Sequence, residues 1–114
     1  VGGGTSFSLL REGLQAAFVQ ALMGDAGVRL GAHHLLWLAT AAGAGTLGLD
    51  RVGHLSVGME FDAVWLRPQA DTTLDIGLRH AADASDAVSK AFALGDTADV
   101  AAVFVGGDQV WKRP

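Results

Sequence analysis

Strand-forming residues occur in only two parts of this chain of 114 residues, and a helical region separates them. Residues 61–66 are rich in β-formers and end before Pro68. Residues 103–105 and 109–111 flank Gly106 and Gly107, which supply the positive φ angles of a tight hairpin. A sheet of so few strands leaves its edges bare. The sequence therefore predicts that these strands complete a sheet whose other members precede Val1 in a longer protein.

The first half of the chain has helical periodicity. Apolar residues recur at three- and four-residue spacings between Phe7 and Gly24, which predicts a helix with Thr5 or Ser6 as its cap. A second pattern over residues 32–42 is apolar on more than half of its circumference, as is typical of a helix buried between neighbours. Gly43 is predicted to end or kink this second helix.

Two further helices are predicted in the second half, one around residues 74–82 and one around 87–94. The segment 83–85 between them, Asp-Ala-Ser, provides capping residues, and Gly95 is predicted to close the second helix. The chain thus reads as helix, helix, strand, helix, helix and hairpin, which is an α/β composition.

The composition limits the partners of the chain. Half of the residues are hydrophobic and 18% are charged, which favours a chain whose apolar faces pack on a partner. A net charge of −4 with scattered basic residues argues against nucleic-acid binding, and the longest apolar run, 35–44, is too short to span a membrane. The absence of cysteine fits a cytoplasmic protein. Because the chain starts at Val1, we expect that it was excised from something longer.

The histidines do not have the spacing of a metal site. His33 and His34 are adjacent, so on a helix they point about 100° apart, and surface positions at a helix start are favoured over metal ligation. His54 and His80 have no histidine or acidic companion at a ligand spacing. No metal ligand and no catalytic residue is therefore predicted within the chain.

The acidic residues and the tryptophans also favour structural roles. No spacing brings two carboxylates to a shared proton-transfer site, and Asp83 and Asp86 are predicted to be helix-start charges that complement the helix dipole. The tryptophans lie among aliphatic residues, which favours packing in a core or an interface over a stacking role. The residues concerned are Asp62, Asp83, Asp86, Asp96, Asp99, Trp37, Trp65 and Trp111.

Several segments resemble one enzyme family. The start, Val-Gly-Gly-Gly-Thr-Ser-Phe-Ser-Leu-Leu-Arg at 1–11, resembles the segment that follows the last barrel strand in guanine deaminases of the amidohydrolase superfamily. Residues 36–50 and the glycine-rich stretch 52–64, which ends in Phe-Asp-Ala-Val, are similar to the following parts of that family. Leu-Gly-Asp at 94–96 and the closing segment 103–111 resemble its C-terminus. The resemblance covers nearly the whole chain.

The resemblance implies a C-terminal fragment of a (β/α)8 barrel together with part of a small composite β domain. Residues 1–50 would be the last helical part of the barrel. Residues 51–114 would finish the β domain, with helices inserted. The missing N-terminal portion of the barrel is then the main partner, and a homodimer is expected. Active sites of such barrels lie in the loops at the C-terminal ends of the strands.

The implied reaction is the hydrolysis of guanine to xanthine and ammonia. In the family, zinc lowers the pKa of a bound water so that it can attack the ring carbon. The resemblance places the zinc ligands, including an aspartate just before Val1, outside this chain, so the chain alone is expected to be inactive. The glycine run then becomes a candidate rim of the purine pocket, although a plain structural turn is equally compatible with it. The rim residues are Val1, Gly2, Gly3, Gly4 and Thr5.

Two alternatives remain open. The parent enzyme could act on 8-oxoguanine, another aminopurine or a triazine, because the side chains that recognise the substrate ring would lie upstream of Val1. The chain could instead be a stand-alone, non-catalytic interaction module that associates through its apolar surface.

Overall fold

The computed structural model describes residues 4–114, which form an α/β structure. Helix α1 spans Leu9–Leu22, and its N-cap is Ser8, whose hydroxyl accepts a hydrogen bond from the amide of Arg11 (3.4 Å). The prediction that Thr5 or Ser6 caps this helix is therefore wrong. The hydroxyls of Thr5 and Ser6 instead donate to the carboxylate of Glu12, and the Ser6 hydroxyl also accepts from the amide of Ser8 (3.2 Å), one residue before the helix.

The second helical region continues through Gly43, where the sequence predicts an end or a kink. It consists of α2 (Ala32–Trp37), a π-helical turn (Leu38–Ala42) and α3 (Gly43–Thr46). The Thr40 hydroxyl donates to the carbonyl of Leu36 (2.6 Å), a side-chain contact that competes with the helix ladder. Gly43 has right-handed helical angles (φ −60°, ψ −47°) and does not end the helix. The chain leaves the helix after Leu47, where Gly48 has a φ of 70°.

Three strands form one antiparallel sheet in the order β1, β2, β3. They span β1 (Ala63–Leu66), β2 (Val100–Val105) and β3 (Asp108–Lys112). The predicted hairpin is confirmed, with φ of 57° at Gly106 and 90° at Gly107. The first strand starts two residues later than its β-formers indicate. Asp62 instead accepts a hydrogen bond from the amide of Gly106 (2.7 Å) and ties the strand entry to the hairpin turn.

Helices α4 (Thr73–Arg79) and α5 (Ala84–Leu94) confirm the predicted pair between the two strand regions. Thr72 caps α4 and accepts a hydrogen bond from the amide of Asp75 (3.3 Å). Asp83 caps α5 and accepts from the amide of Asp86 (2.8 Å), as its position before the apolar pattern predicts. Gly95 follows as the C-cap of α5.

The core within residues 4–114 is small and centred on α5, which packs against α1, α2 and α4. Its large members are Leu35, Leu74 and Phe92, and the remaining buried apolar residues are alanines. Gly13 allows α1 to approach this core, because a Cβ at position 13 would lie 2.6 Å from Cε1 of Phe92. Among the described residues, no helix has the length and apolar character needed to cross a bilayer.

Much of the apolar surface stays uncovered. Phe7, Leu22 and Val57 are among the most exposed large side chains, and α1 contains no buried residue. The three tryptophans, Trp37, Trp65 and Trp111, are 59%, 54% and 44% exposed. Core packing of the tryptophans is therefore wrong for the described residues. Packing in an interface stays a prediction.

Candidate functional site

The predicted pocket rim can be followed from Gly4, because Val1, Gly2 and Gly3 lie outside the described residues. Gly4 and Thr5 are exposed and lead into the N-terminus of α1. They border an open cleft of about 740 Å³ between this segment, α1 and the chain around residues 28–38. Polar side chains of Glu12 and Gln15 and apolar side chains such as Leu30 line the same cleft.

One carboxylate holds the segment in place. Oε1 of Glu12 accepts hydrogen bonds from the backbone amide of Thr5 (3.1 Å), the hydroxyl of Thr5 (2.9 Å) and the hydroxyl of Ser6 (2.8 Å). Glu12 itself is fixed by the helix, since its amide donates to the carbonyl of Ser8 (3.0 Å). The first turn of α1 therefore determines where residues 4–6 lie.

Gln15 extends this network by one helical turn. Its Oε1 lies 3.0 Å from the hydroxyl of Thr5, which has a single proton and already has the charged Glu12 as an acceptor. If the Gln15 amide is turned over, its NH₂ donates to Thr5 while the Thr5 hydroxyl donates to Glu12. This arrangement satisfies all three side chains at once.

Close contact also explains the glycine at position 4. A Cβ built there would lie 2.9 Å from Oε2 of Glu12, so the end of the Glu12 side chain would have to shift to make room for it. Gly4 thus leaves room for the Glu12 carboxylate beside it.

The hydrogen bonds keep Glu12 ionised. Donation from the Ser6 hydroxyl, followed by the Thr5 amide and hydroxyl, lowers the pKa of the Glu12 carboxyl below its ordinary value. An ionised carboxylate can only accept hydrogen bonds, so Glu12 suits a positioning role and not that of a proton donor at neutral pH. The helical pattern of residues 7–24 does not single out Glu12. An acidic residue in the first helical turn after a Thr-Ser pair is the signal that could have identified it.

The histidines occupy surface positions, as predicted. His33 and His34 start α2 with their ring centroids 3.9 Å apart, and Nδ1 of His34 accepts from the amide of Gly31 (3.2 Å). His54 and His80 are exposed elsewhere on the molecule. Across residues 4–114, no group of three or more His, Asp or Glu side chains is arranged to hold a metal ion.

The contacts of Asp83 and Asp86 confirm their predicted place at the start of a helix. Asp83 caps α5, and Asp86, one turn later, accepts from the amide of Ala82 (2.9 Å) and from Nζ of Lys90 (2.7 Å). Asp96 and the buried Asp99 form a reciprocal cap before β2, with the amide of Asp96 donating to Asp99 (2.8 Å). These contacts do not bring two carboxylates together for proton transfer.

A second open groove, of about 710 Å³, lies between α4 and the ends of the sheet. Arg67, Arg79 and Arg113 line it, but Arg79 pairs with Asp71 (3.0 Å) and Asp75 (2.7 Å). These acids raise the pKa of Arg79 further and offset its charge. The groove is therefore less cationic than its three arginines indicate.

The chain is similar to known proteins. A family model described as the amidohydrolase family matches residues 1–110. The chain is 54% identical over 114 residues to a probable guanine deaminase from Deinococcus radiodurans, covering 99% of the chain and 26% of that protein. It is 37% identical over 117 residues to the guanine deaminase of Homo sapiens, covering 96% of the chain and 26% of the relative.

The fold agrees as well. The solved structure of Escherichia coli guanine deaminase superposes with a TM-score of 0.88 at 32% identity, covering 99% of this chain and 26% of that chain. The chain thus spans about a quarter of the length of these relatives. The predicted resemblance to guanine deaminases and the α/β fold of an amidohydrolase fragment are confirmed. The chain belongs to the amidohydrolase family.

Proposed function

We propose that this chain is the C-terminal part of a guanine deaminase, in which it supplies scaffold and pocket rim. The whole enzyme would hydrolyse guanine, with water replacing the exocyclic amine, to give xanthine and ammonia. The observation that carries this proposal is the 54% identity, across 99% of the chain, to a relative named a probable guanine deaminase. Relatives from rat, human and Escherichia coli have the same name without that qualifier.

The local geometry supports a rim role for the start of the chain. Gly4 and Thr5 are exposed at an open cleft, and their position is set by Glu12. A glycine at the edge of a pocket lets the backbone approach a flat ring closely. We propose that residues 1–5 border the purine. The division into a barrel part, 1–50, and a β-domain part, 51–114, remains a prediction.

Zinc belongs to the proposal for the whole enzyme and not to this chain. The described side chains do not fit a zinc site, because residues 4–114 bring no three His, Asp or Glu groups together. We propose that the ligands, with the expected aspartate before Val1, are contributed by the remainder of the protein. The 114 residues alone are then expected to have no deaminase activity.

The proposed partners are the rest of the same polypeptide and a second copy of the whole protein. The exposed apolar side chains of α1, including Phe18 at 59% and Leu22 at 87%, support a covering partner. A homodimer in the cytoplasm, with no binding to nucleic acid or membrane, completes the proposal. Light scattering of the purified whole protein would report a mass of two chains, and the mass of one chain would contradict the dimer.

The activity is tested on the whole protein that contains this chain. Incubation with guanine should release ammonia and form xanthine in equal amounts, and prior treatment with a chelator should abolish both. The 114-residue chain under the same conditions is the control and should release none. Turnover of 8-oxoguanine, another aminopurine or a triazine in preference to guanine would contradict the proposed substrate.

The alternative of a stand-alone interaction module makes the opposite prediction for the isolated chain. A fragment with this much exposed apolar surface should aggregate or self-associate when purified alone. A soluble monomer that unfolds cooperatively would favour the stand-alone module.

A further inference from the structure

The segment 4–6 has no secondary structure of its own to hold it. Thr5 and Ser6 lie before the first helical turn, and the backbone amide of Thr5 donates to Glu12. Glu12 lies in a helix of 14 residues and is anchored by its own helical hydrogen bond to Ser8. Helix α1 therefore holds this irregular segment chiefly through Glu12, with Gln15 as a second contact to Thr5.

We propose that Glu12 is a positioning residue that sets the purine-pocket rim by tying Thr5 and Ser6 to the first turn of α1. The inference deepens the proposed function and rests on it, because it assumes that this rim meets the purine. Glu12 is not a catalytic residue in this proposal, since it acts through Thr5 and Ser6.

A simple structural role for Glu12 makes a different prediction. An acidic residue in the first helical turn stabilises a helix by its charge alone, and Glu12→Gln and Glu12→Ala would remove that charge equally. The tether depends instead on an oxygen acceptor at the end of a side chain of this length. Glu12→Gln keeps such an oxygen, so it should retain part of the effect that Glu12→Ala loses.

The test uses the whole protein, with hydrogen exchange of the Thr5 amide and steady-state kinetics with guanine as two readouts. Glu12→Ala should speed exchange at Thr5 roughly tenfold and raise KM for guanine roughly tenfold, with kcat changed much less, as expected for the loss of hydrogen bonds to a charged acceptor. Glu12→Gln should give an intermediate change in both. Glu60→Gln, at an exposed glutamate paired with Arg51 in a different part of the chain, is the matched control and should change neither.

Ser6→Ala provides a second route if Glu12→Ala does not fold. It removes one donor to Glu12 and should raise KM by a smaller factor, and the effect of Glu12→Gln should shrink in the Ser6→Ala background because the two residues share a contact.

Unchanged Thr5 exchange in Glu12→Ala, or in Glu12→Gln and Ser6→Ala if Glu12→Ala does not fold, would overturn the tether. Faster exchange with unchanged KM would overturn its role at the rim. An unsubstituted protein with no guanine turnover would overturn the proposed function instead, and the exchange rates would still decide whether Glu12 holds the segment.

Discussion

Helices α1 and α5 have the same kind of apolar stripe but very different surroundings. Helix α5 spans 11 residues, and its Phe92 is 4% exposed where the helix packs against α1, α2 and α4. Helix α1 is longer, at 14 residues, yet none of its residues is buried, and its Phe18 is 59% exposed.

The difference shows that an amphipathic pattern specifies which face needs cover but not what covers it. For α5 the covering elements are present in this chain. For the outer face of α1 they are not present among residues 4–114, in agreement with a chain that spans about a quarter of its relatives. Substitutions in the two helices can test this contrast in the whole protein.

The largest effect on the free energy of unfolding is expected at the buried side chain of α5. Phe92→Ala should lower the free energy of unfolding by about 3–5 kcal/mol, because it leaves a cavity between α5 and three neighbouring helices. Thermal unfolding of the whole protein measures the loss. Ser89→Ala, at an exposed position of α5, is the control and should change stability by less than about 0.5 kcal/mol. A similar small change for Phe92→Ala would contradict the core around α5.

The exposed face of α1 sharpens the contrast. Phe18→Ala should cost about 1–2 kcal/mol in the whole protein if another part of the polypeptide covers this side chain. Arg11→Ala, at an exposed polar position of the same helix, should cost less than about 0.5 kcal/mol. Equal effects of the two substitutions in thermal unfolding would show that this face of α1 is exposed to solvent in the whole protein.

The contact between the two helices is tested by Gly13→Ala. Alanine is the better helix former by about 1 kcal/mol, but its Cβ would lie 2.6 Å from a ring carbon of buried Phe92 and overpack the contact by about 1–3 kcal/mol. We expect a net loss of about 1 kcal/mol, measured by thermal unfolding. Gly45→Ala, with no atom within 4 Å of the added Cβ, should be neutral or stabilising. A stabilising Gly13→Ala would mean that α1 and α5 lie farther apart.

The smallest effect is expected from acid. The hydrogen bond from Lys90, followed by that from the Ala82 amide, lowers the pKa of Asp86 on α5 below its ordinary 3.8. A carboxyl whose pKa is lower in the folded than in the unfolded state stabilises the fold above pH 3.8. This stability is lost as the pH falls through the pKa of the folded state. Asp86→Asn should therefore lower Tm slightly at neutral pH, and the fall in Tm below about pH 4 should become less steep. An unchanged acid profile would show that the ion pair with Lys90 is not formed.

Local features could be predicted wherever a few neighbouring residues decide them. The caps at Asp83, the turn at Gly106 and Gly107, and the positions of α4 and α5 follow from short-range hydrogen bonds and dihedral preferences. The π-helical turn Leu38–Ala42 was not predicted, since side-chain contacts such as that of Thr40 compete with a pattern that is otherwise helical.

At the candidate site, too, the sequence predicts some features and misses others. Gly4 and Thr5 could be proposed as rim residues from the sequence, but the group that holds them could not. Glu12 lies seven residues from Thr5, and its contact depends on how the segment turns before α1. The N-cap is likewise Ser8 because the chain enters the helix at Leu9, later than the apolar pattern indicates.

The sequence by itself determined the helical and strand patterns, the tight hairpin and the family to which the chain belongs, because local dihedral preferences and side-chain types encode them. The tertiary structure decided which apolar faces are covered, that Phe92 is buried while Phe18 is not, and that Glu12 holds Thr5 and Ser6. Burial and tethering depend on which elements meet in space, and residues distant in the sequence decide that meeting.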